Sequence, residues 1–162
     1  MLVDVVDATD RVIGTARRAD LLGRATGFRV AHTLVFNARG EVLLQQLADS
    51  RERHPLLWGS SVAAYVFSGE TYAAAAARRV QQELGIADTP SSIGRVSMTD
   101  EGCIKWIGVF RLDSDGPFTP DLGVIRALRF TSMMELTSAL RDQPQSFTPT
   151  FRYIATWLLK LP

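Results

Sequence analysis

The sequence predicts an α/β domain in which strands precede and follow one central helix. Short segments with alternating or continuous apolar residues between turn residues are typical of strands. The alanine-rich segment Tyr72–Leu84 has helical composition instead and is followed at once by Gly85. The chain has 162 residues, of which 46% are hydrophobic and 22% charged. This size and balance predict a single domain over residues 1–162.

The first part of the chain is predicted to be mainly extended. Polar or turn-forming residues, such as Asp7–Asp10 and Asn37–Gly40, separate the candidate strands. We expect a short helix or turn at Ala19–Gly27 and an exposed loop at Ala48–His54. The segment Trp58–Phe67, which is rich in small residues, is also expected to be extended. The candidate strands before it are Leu2–Val6, Arg11–Ala16, Val30–Phe36 and Glu41–Leu47.

The second part of the chain combines helices and strands. The central helix is expected over residues 70–84, because alanine is the best helix former and Gly85 is a natural C-cap. A hydroxyl residue is predicted to cap a helix at 131–141. The last helix is expected to begin near Pro149, since proline suits the first turn of a helix. The strands expected here are Ile93–Thr99, Ile104–Leu112 and Val124–Phe130.

Composition excludes several classes of function. The 18 basic and 17 acidic residues nearly cancel, which gives no reason to expect a nucleic-acid partner. Cys103 is the only cysteine, so a disulfide within the chain and a cysteine-based zinc site are excluded. Met1–Asp10 carries three aspartates and no basic residue, unlike a signal peptide. No apolar run approaches about 18 residues. We therefore expect a cytoplasmic domain with no membrane partner.

One segment, Ala64–Ile86, carries the residues with the clearest chemical pattern. It resembles the box of the Nudix superfamily, which reads Gly, five residues, Glu, seven residues, Arg-Glu, an aliphatic, any residue, Glu-Glu, any residue, Gly and an aliphatic. In that family the box is a loop–helix–loop that holds Mg²⁺ or Mn²⁺ against a substrate diphosphate. The residues at matching offsets are Glu70, Arg78, Glu83, Gly85 and Ile86.

The resemblance extends over nearly the whole chain. It is similar to the Nudix branch that contains isopentenyl-diphosphate isomerase and its small bacterial hydrolase relatives. This resemblance implies the Nudix fold, an α/β/α sandwich around a mixed β-sheet. It also implies cleavage of a phosphoanhydride bond in a nucleoside diphosphate or another organic diphosphate. The matching segments are Val3–Val6, Arg11–Gly14, Arg39–Gln45, Pro55–Trp58, Arg78–Gly85 and Phe147–Pro149.

The box departs from the family pattern at three positions. Ala64 replaces the first Gly, Arg79 replaces the Glu after the Arg, and Gln82 replaces the first of the paired Glu residues. Unit charges about 4 Å apart interact by roughly 4 kcal/mol at an effective dielectric of 20. An inward-facing Arg79 would therefore repel a divalent cation strongly. We expect hydrolysis of the usual metal-dependent kind to be weak or absent.

The resemblance assigns roles to the box residues that remain. Glu83 is the best candidate for catalysis and for holding a metal, and Glu70 is a second catalytic candidate. Asp121 is a candidate metal ligand beside Glu83. The family usually pairs the first Glu of the box with its Arg, so Arg78 is expected to anchor Glu70. Gly85 is expected to be structural.

Four further residues are candidates for binding substrate. Arg79 either turns inward and binds a phosphate directly or turns outward as a solvated helix residue. Gln82 could donate an amide hydrogen bond to the same phosphate. Arg51 lies in the loop where this branch often presents basic residues to a diphosphate. Tyr65 replaces a metal-binding position of the isomerase and is expected to line the pocket.

Isomerase activity is not expected. The Cys-Gly-His run of the isomerase aligns with Ala63–Tyr65, and its early histidines fall near Leu21 and Phe28. His32 is expected to be a core histidine, and His54 a surface one.

Three interpretations of the function stay open. The first is a hydrolase of diphosphates. The second is a catalytically silent domain that binds a small anionic ligand or a protein partner. The third is an enzyme with altered, metal-independent chemistry. A homodimer is a common state for such domains.

Overall fold

A mixed β-sheet with helices on both faces organises the structure, a computed structural model that describes residues 1–160. Within these residues the strands are β1 (Leu2–Val6), β2 (Val12–Arg17), β3 (Gly27–Phe36), β4 (Val42–Leu47), β5 (Trp58–Gly59), β6 (Val62–Tyr65), β7 (Ser91–Asp100), β8 (Cys103–Asp113) and β9 (Ile125–Thr131). The helices are α1 (Tyr72–Leu84), α2 (Met133–Asp142) and α3 (Pro149–Leu159), with 3₁₀ turns at Arg18–Leu21 and Pro144–Ser146. In the part of the chain so described, no helix has the length and hydropathy needed to span a membrane.

Strand β3 is the centre of the sheet. It pairs in parallel with β8 along its whole length, from Gly27 opposite Ile104 to Phe36 opposite Asp113. On its other side it is antiparallel to β6 and touches β1 and β4 at its ends. The sheet therefore contains both parallel and antiparallel pairs, which confirms the predicted mixed sheet.

Alternate side chains of β3 point to opposite faces of the sheet. Phe28 and Leu34 join the core beneath α2 and α3, whereas Ala31 and Val35 face α1. The small side chains of α1 allow the helix to pack closely on its face. Helices thus cover both faces, and the predicted α/β/α sandwich is confirmed. The residues of α1 in contact with the sheet are Ala75, Ala76, Val80 and Leu84.

Three element boundaries differ clearly from the sequence prediction. The extended segment Trp58–Phe67 is divided into β5 and β6 at Ser60–Ser61. The Ser61 hydroxyl donates to the Leu43 carbonyl and accepts from the Val35 amide, which holds the chain in a bend. The central helix begins at Tyr72 instead of residue 70, because Thr71 is its N-cap. The strand that contains Val30 begins earlier than predicted, at Gly27.

An ion pair fixes the start of α1 to the sheet. The Arg78 guanidinium donates to both carboxylate oxygens of Glu70, at 2.7 and 3.0 Å, and to the Tyr65 carbonyl at 3.0 Å. Its cation also lies 4.0 Å from the centre of the Phe67 ring. The hydrogen bonds from Arg78 hold the pKa of Glu70 below its usual range. Arg78 therefore links α1, the loop before it and the end of β6.

The end of α1 is fixed by Gly85. Its φ of +71° is a left-handed conformation that favours glycine, and its amide donates to the Gln81 carbonyl. A Cβ at this position would lie 3.1 Å from the Cβ of Thr119. The helix end can therefore lie directly against the segment 119–121, which donates amides to the carbonyls of Glu83 and Leu84.

We predict that Arg78→Leu lowers the free energy of unfolding by about 2 kcal/mol, because it breaks several charge-assisted hydrogen bonds and leaves Glu70 without its partner. Denaturant titration measures the change. Arg141→Leu is the matched control, since Arg141 forms a fully exposed pair with Asp142 and should leave the midpoint unchanged. Equal effects of the two substitutions would contradict a structural role for Arg78.

Candidate functional site

A buried carboxylate lies at the C-terminal end of α1. Glu83 has only 2% of its side chain exposed. Its Oε2 accepts a hydrogen bond of 3.1 Å from Arg79 Nε, and its Oε1 accepts one of 3.3 Å from Gln45 Nε2. Residues four apart on a helix share one face, so Arg79 and Glu83 meet. Arg79 therefore turns inward, toward the carboxylate that the box retains.

A second cation acts on the same carboxylate. Burial raises the pKa of Glu83, and the charges of Arg79 and Arg51 oppose this rise. Gln82 lies at the edge of the group, where its Oε1 accepts a hydrogen bond of 3.4 Å from Arg79. Four of the residues predicted to form the site are therefore grouped here. Hydrogen bonds join Glu83, Arg79 and Gln82, and Arg51 acts on Glu83 through its charge alone. We call them, with Gln45, the Glu83 cluster.

Two other predicted site residues use their carboxylates elsewhere. Both oxygens of Glu70 are held by Arg78, and Oε2 also accepts from the Phe67 amide. The Asp121 amide donates to the Glu83 carbonyl, but its own carboxylate is exposed and accepts from the Gly123 amide at 3.0 Å. The structure thus places the main chain of Asp121, but not its side chain, beside Glu83.

The Glu83 cluster does not fit a metal ion held by carboxylates. Within residues 1–160, no three side chains among His, Cys, Asp and Glu are grouped to hold a metal. Both oxygens of Glu83 already accept hydrogen bonds, and the Arg79 and Arg51 charges would repel a divalent cation. Arg79, which stands where the box of the family has a Glu, therefore places a cation of the chain against the retained Glu83.

A second charged cluster lies on the opposite face of the sheet, and the sequence did not predict it. The Lys105 ammonium lies 2.6 Å from an oxygen of Asp100 and donates to the Thr150 hydroxyl at 3.0 Å. Arg53 donates to both oxygens of Asp100, at 3.1 and 3.2 Å. We call these four residues the Lys105 cluster. Lys105 is buried in a strand whose neighbouring inward positions are apolar.

The Lys105 cluster adjoins the positions that correspond to the histidines of the isomerase. Leu21 and Phe28 lie in the same core, and the rings of Phe28 and Tyr65 are 6.1 Å apart. The Arg18 guanidinium lies 4.0 Å and the Lys105 ammonium 5.9 Å from the centre of the Phe28 ring. This part of the fold therefore holds apolar side chains and two cations of the chain. Tyr65 lines this face instead of the Glu83 cluster.

The two histidines differ in their surroundings. His32 is buried, as predicted, and its Nδ1 shares a hydrogen bond of 2.8 Å with the Ser60 hydroxyl. Burial and the nearby charge of Lys105 lower the pKa of His32 to about 3, so its ring is neutral at physiological pH. His54 is half-buried in the loop that also carries Arg51 and Arg53.

Comparison with known proteins decides the family. A model described as the NUDIX domain matches residues 27–153. The chain belongs to the Nudix family. An uncharacterized Nudix hydrolase of Pseudomonas aeruginosa is 35% identical over 130 residues, which cover 80% of this chain and 77% of that protein. An isopentenyl-diphosphate Delta-isomerase of Nocardia farcinica is 32% identical over 157 residues, with coverage of 92% and 89%.

Solved structures show the same Nudix fold. A crystal structure of a Deinococcus radiodurans protein superimposes with a TM-score of 0.84 at 21% identity, and covers 97% of this chain and 98% of that one. A MutT protein from Methanosarcina mazei has a TM-score of 0.68 at 17% identity, with coverage of 85% and 99%. At such identities these likenesses concern the fold alone, and they confirm the fold that the box and the full-length resemblance imply.

We predict that Glu83 makes the folded protein less stable as the pH rises. Because burial raises the pKa of Glu83, the folded chain keeps a proton that the unfolded chain loses near the ordinary glutamate value of about 4.3. Stability relative to Glu83→Gln should therefore fall as the pH rises from about 4.3 through the raised pKa, and then level off. Denaturant titrations of both proteins across this pH range measure the difference between their free energies of unfolding. A difference that stays constant or increases with pH would contradict a raised pKa for Glu83.

Proposed function

We propose that this Nudix protein binds a nucleoside diphosphate or another organic diphosphate at Arg79 and Arg51 and cleaves its phosphoanhydride bond slowly. The observation that carries the proposal is the ion pair of Arg79 with the buried carboxylate of Glu83, on which the charge of Arg51 also acts. The pairing leaves one positive charge in excess beside the helix end. Guanidinium groups bind phosphate oxygens in a fixed, two-point geometry, so the excess charge suits a diphosphate.

The proposed binding step exchanges one anion for another at Arg79. A phosphate oxygen takes the place of the Glu83 carboxylate as the partner of Arg79, and Arg51 neutralises the second phosphate. Gln45 continues to hold Glu83 through Oε1. The two arginines thereby neutralise the diphosphate without a metal ion.

The proposed chemical step uses Glu83 as a general base. A water molecule attacks phosphorus, and its proton passes to the Oε2 that Arg79 has released. A new P–O bond forms as the bond to the bridging oxygen breaks, and the departing phosphate carries that electron pair away. The raised pKa of Glu83 makes it a stronger base than an exposed glutamate.

Slow turnover follows from the charges that the box has lost. Family members with a complete box concentrate several carboxylates at this point, whereas Glu83 alone remains here. A single positioned acid or base typically contributes about 10²–10⁴ to a rate. We therefore expect hydrolysis at least about a hundredfold slower than that of a complete box.

The isomerase reaction is not part of this proposal, although one relative carries that name. Ala63 stands where the isomerase has its thiol, and an alanine has no group that can move a proton. Tyr65, Leu21 and Phe28 stand at positions of its histidines, and these side chains pack together without a metal-binding nitrogen. The loss of the thiol and of the histidines favours diphosphate binding or hydrolysis over isomerisation.

We predict that the wild-type protein binds a nucleoside diphosphate in the presence of a metal chelator. Arg79→Gln should weaken this binding by about tenfold or more, because a charge-assisted hydrogen bond to phosphate is lost. Titration calorimetry over a panel of nucleoside and other organic diphosphates measures the affinities. Arg141→Gln on α2 is the matched control and should bind as the wild type does.

Hydrolysis is measured on the same proteins by phosphate release. Glu83→Gln should abolish release and leave binding intact, since the amide keeps the size of the side chain but accepts no proton. Release that is indifferent to Glu83 would rule out the proposed base. Binding without any release would identify a silent ligand-binding domain, and no binding in the absence of metal would contradict the role of Arg79.

A further inference from the structure

Strand β7 forms one open edge of the sheet. It pairs with β8 along one side, and no other strand among residues 1–160 pairs with it. Its ladder with β8 is regular from Gly94 to Asp100, after an irregularity between Ser92 and Gly94. Along an edge strand, a row of backbone amides and carbonyls points away from the sheet and can bind a further strand. This part of β7 thus offers a regular edge to another chain.

Helix α3 runs beside this edge. A Cβ at Gly94 would lie 2.7 Å from the ring of Trp157, so the glycine allows the indole to lie directly on the strand. Further along β7, Met98 lies opposite Lys105, whose ammonium donates to the Thr150 hydroxyl at 3.0 Å. The start of this part of β7 therefore meets the end of α3, and its later residues meet the start of α3. The two elements run antiparallel to each other.

A groove of about 440 Å³ lies between α3 and β7. Met98, Tyr153 and Trp157 give the groove apolar walls, and Tyr153 is 41% exposed. Arg152 and Lys160 also line it, and both are exposed. Among the described residues that line the groove, none is acidic. The groove therefore combines an apolar surface with an excess of positive charge.

The spacing of the two cations matches that of a strand. Arg152 and Lys160 are eight residues apart, which corresponds to about 12 Å along a helix. Residues four apart in a strand are separated by about 13 Å and share one face. Two acidic residues with this spacing can therefore each reach one cation. The residue midway between them points to the same face, toward the apolar walls.

Charge distinguishes an acidic partner from a second copy of this chain. Helix α3 carries Arg152 and has no acidic residue, and Lys160 follows it directly. A second copy that paired through β7 would bring its own α3 to the same face of the joined sheet. Like charges that face each other across an interface are unfavourable. An acidic segment instead neutralises both cations, so the groove favours an acidic partner.

We propose that β7 and α3 form a docking site for an extended acidic segment of a partner protein. The segment adds a strand to the open edge of β7 and places an apolar side chain against Tyr153 and Trp157. Its acidic side chains pair with Arg152 and Lys160. Backbone hydrogen bonds supply the affinity and the groove supplies the specificity. The site lies on the face of the sheet opposite to the Glu83 cluster, so the inference is independent of the proposed function.

Four labelled peptides test this docking site on the wild-type protein. The first is Ser-Glu-Thr-Val-Thr-Glu-Ser, and the second has Gln in place of both Glu residues. The other two are the first peptide N-methylated at one or the other set of alternate backbone amides. Fluorescence anisotropy should show saturable binding of the acidic peptide and about tenfold weaker binding of the glutamine peptide. One N-methylated peptide should lose binding and the other keep it, because only one set of amides faces β7.

A double variant locates the effect. Arg152→Gln with Lys160→Gln should weaken binding of the acidic peptide about tenfold and leave the glutamine peptide unchanged. Retained binding of the glutamine peptide shows that the double variant is folded. Arg141→Gln, which removes an exposed cation of α2, is the matched control and should change neither affinity.

Several results would overturn the docking site. They are absence of binding by the acidic peptide, equal binding of the acidic and glutamine peptides, and unchanged binding of the acidic peptide by the double variant. Equal binding of the two N-methylated peptides would exclude the addition of a strand. A dimer of the free protein in which the β7 amides are protected from hydrogen exchange would assign the edge to a second copy. None of these results bears on diphosphate binding at Arg79.

Discussion

The ion pair between Arg79 and Glu83 is the interaction on which the site depends. It places a guanidinium against the one carboxylate that the box keeps, and both lie on the face of α1 that meets the sheet. In this protein the positive charge beside the retained carboxylate is thus part of the chain. A carboxylate cluster needs a metal ion to attract a phosphate, whereas an arginine attracts it directly. The box has Arg79 and Gln82 in place of two glutamates, so the usual metal-dependent chemistry is not expected although the Nudix fold is retained.

The fold holds this pair in place through contacts that the family pattern preserves. Arg78 and Glu70 fix the loop before α1, and the left-handed Gly85 allows the helix end to lie against Thr119. Gln45 reaches Glu83 from β4 and also donates to the Ser61 carbonyl, so the carboxylate is held from the sheet as well. The Arg78–Glu70 pair and Gly85 of the box are therefore kept, whereas Ala64 replaces its first Gly and Arg79 and Gln82 change the charges that it presents.

Much of the fold could be predicted from the sequence because its signals are local. The alanine run and Gly85 define α1, and the hydroxyl at Ser132 caps α2 as expected. The division of Trp58–Phe67 at Ser60–Ser61 could not be predicted, because it depends on hydrogen bonds to strands distant in the sequence.

The site was predicted less completely than the fold, for the same reason. The spacing of Arg79 and Glu83 favours an ion pair, but only the packing of α1 on the sheet decides that Arg79 faces inward. The Lys105 cluster joins residues from a loop, two strands and a helix, and so leaves no motif in the sequence. Its one local signal is a lysine at an inward position of the alternating strand β8, between Cys103 and Ile107.

Titration of Mg²⁺ into the free protein tests the central claim most directly. The account holds that Arg79 occupies the place of the metal, so the wild type should show no Mg²⁺ binding that depends on Glu83. The double variant Arg79→Glu with Gln82→Glu restores two carboxylates of the box beside Glu83, and it should gain Mg²⁺ binding together with faster metal-dependent hydrolysis. Mg²⁺ binding by the wild type that is lost in Glu83→Gln would contradict the account.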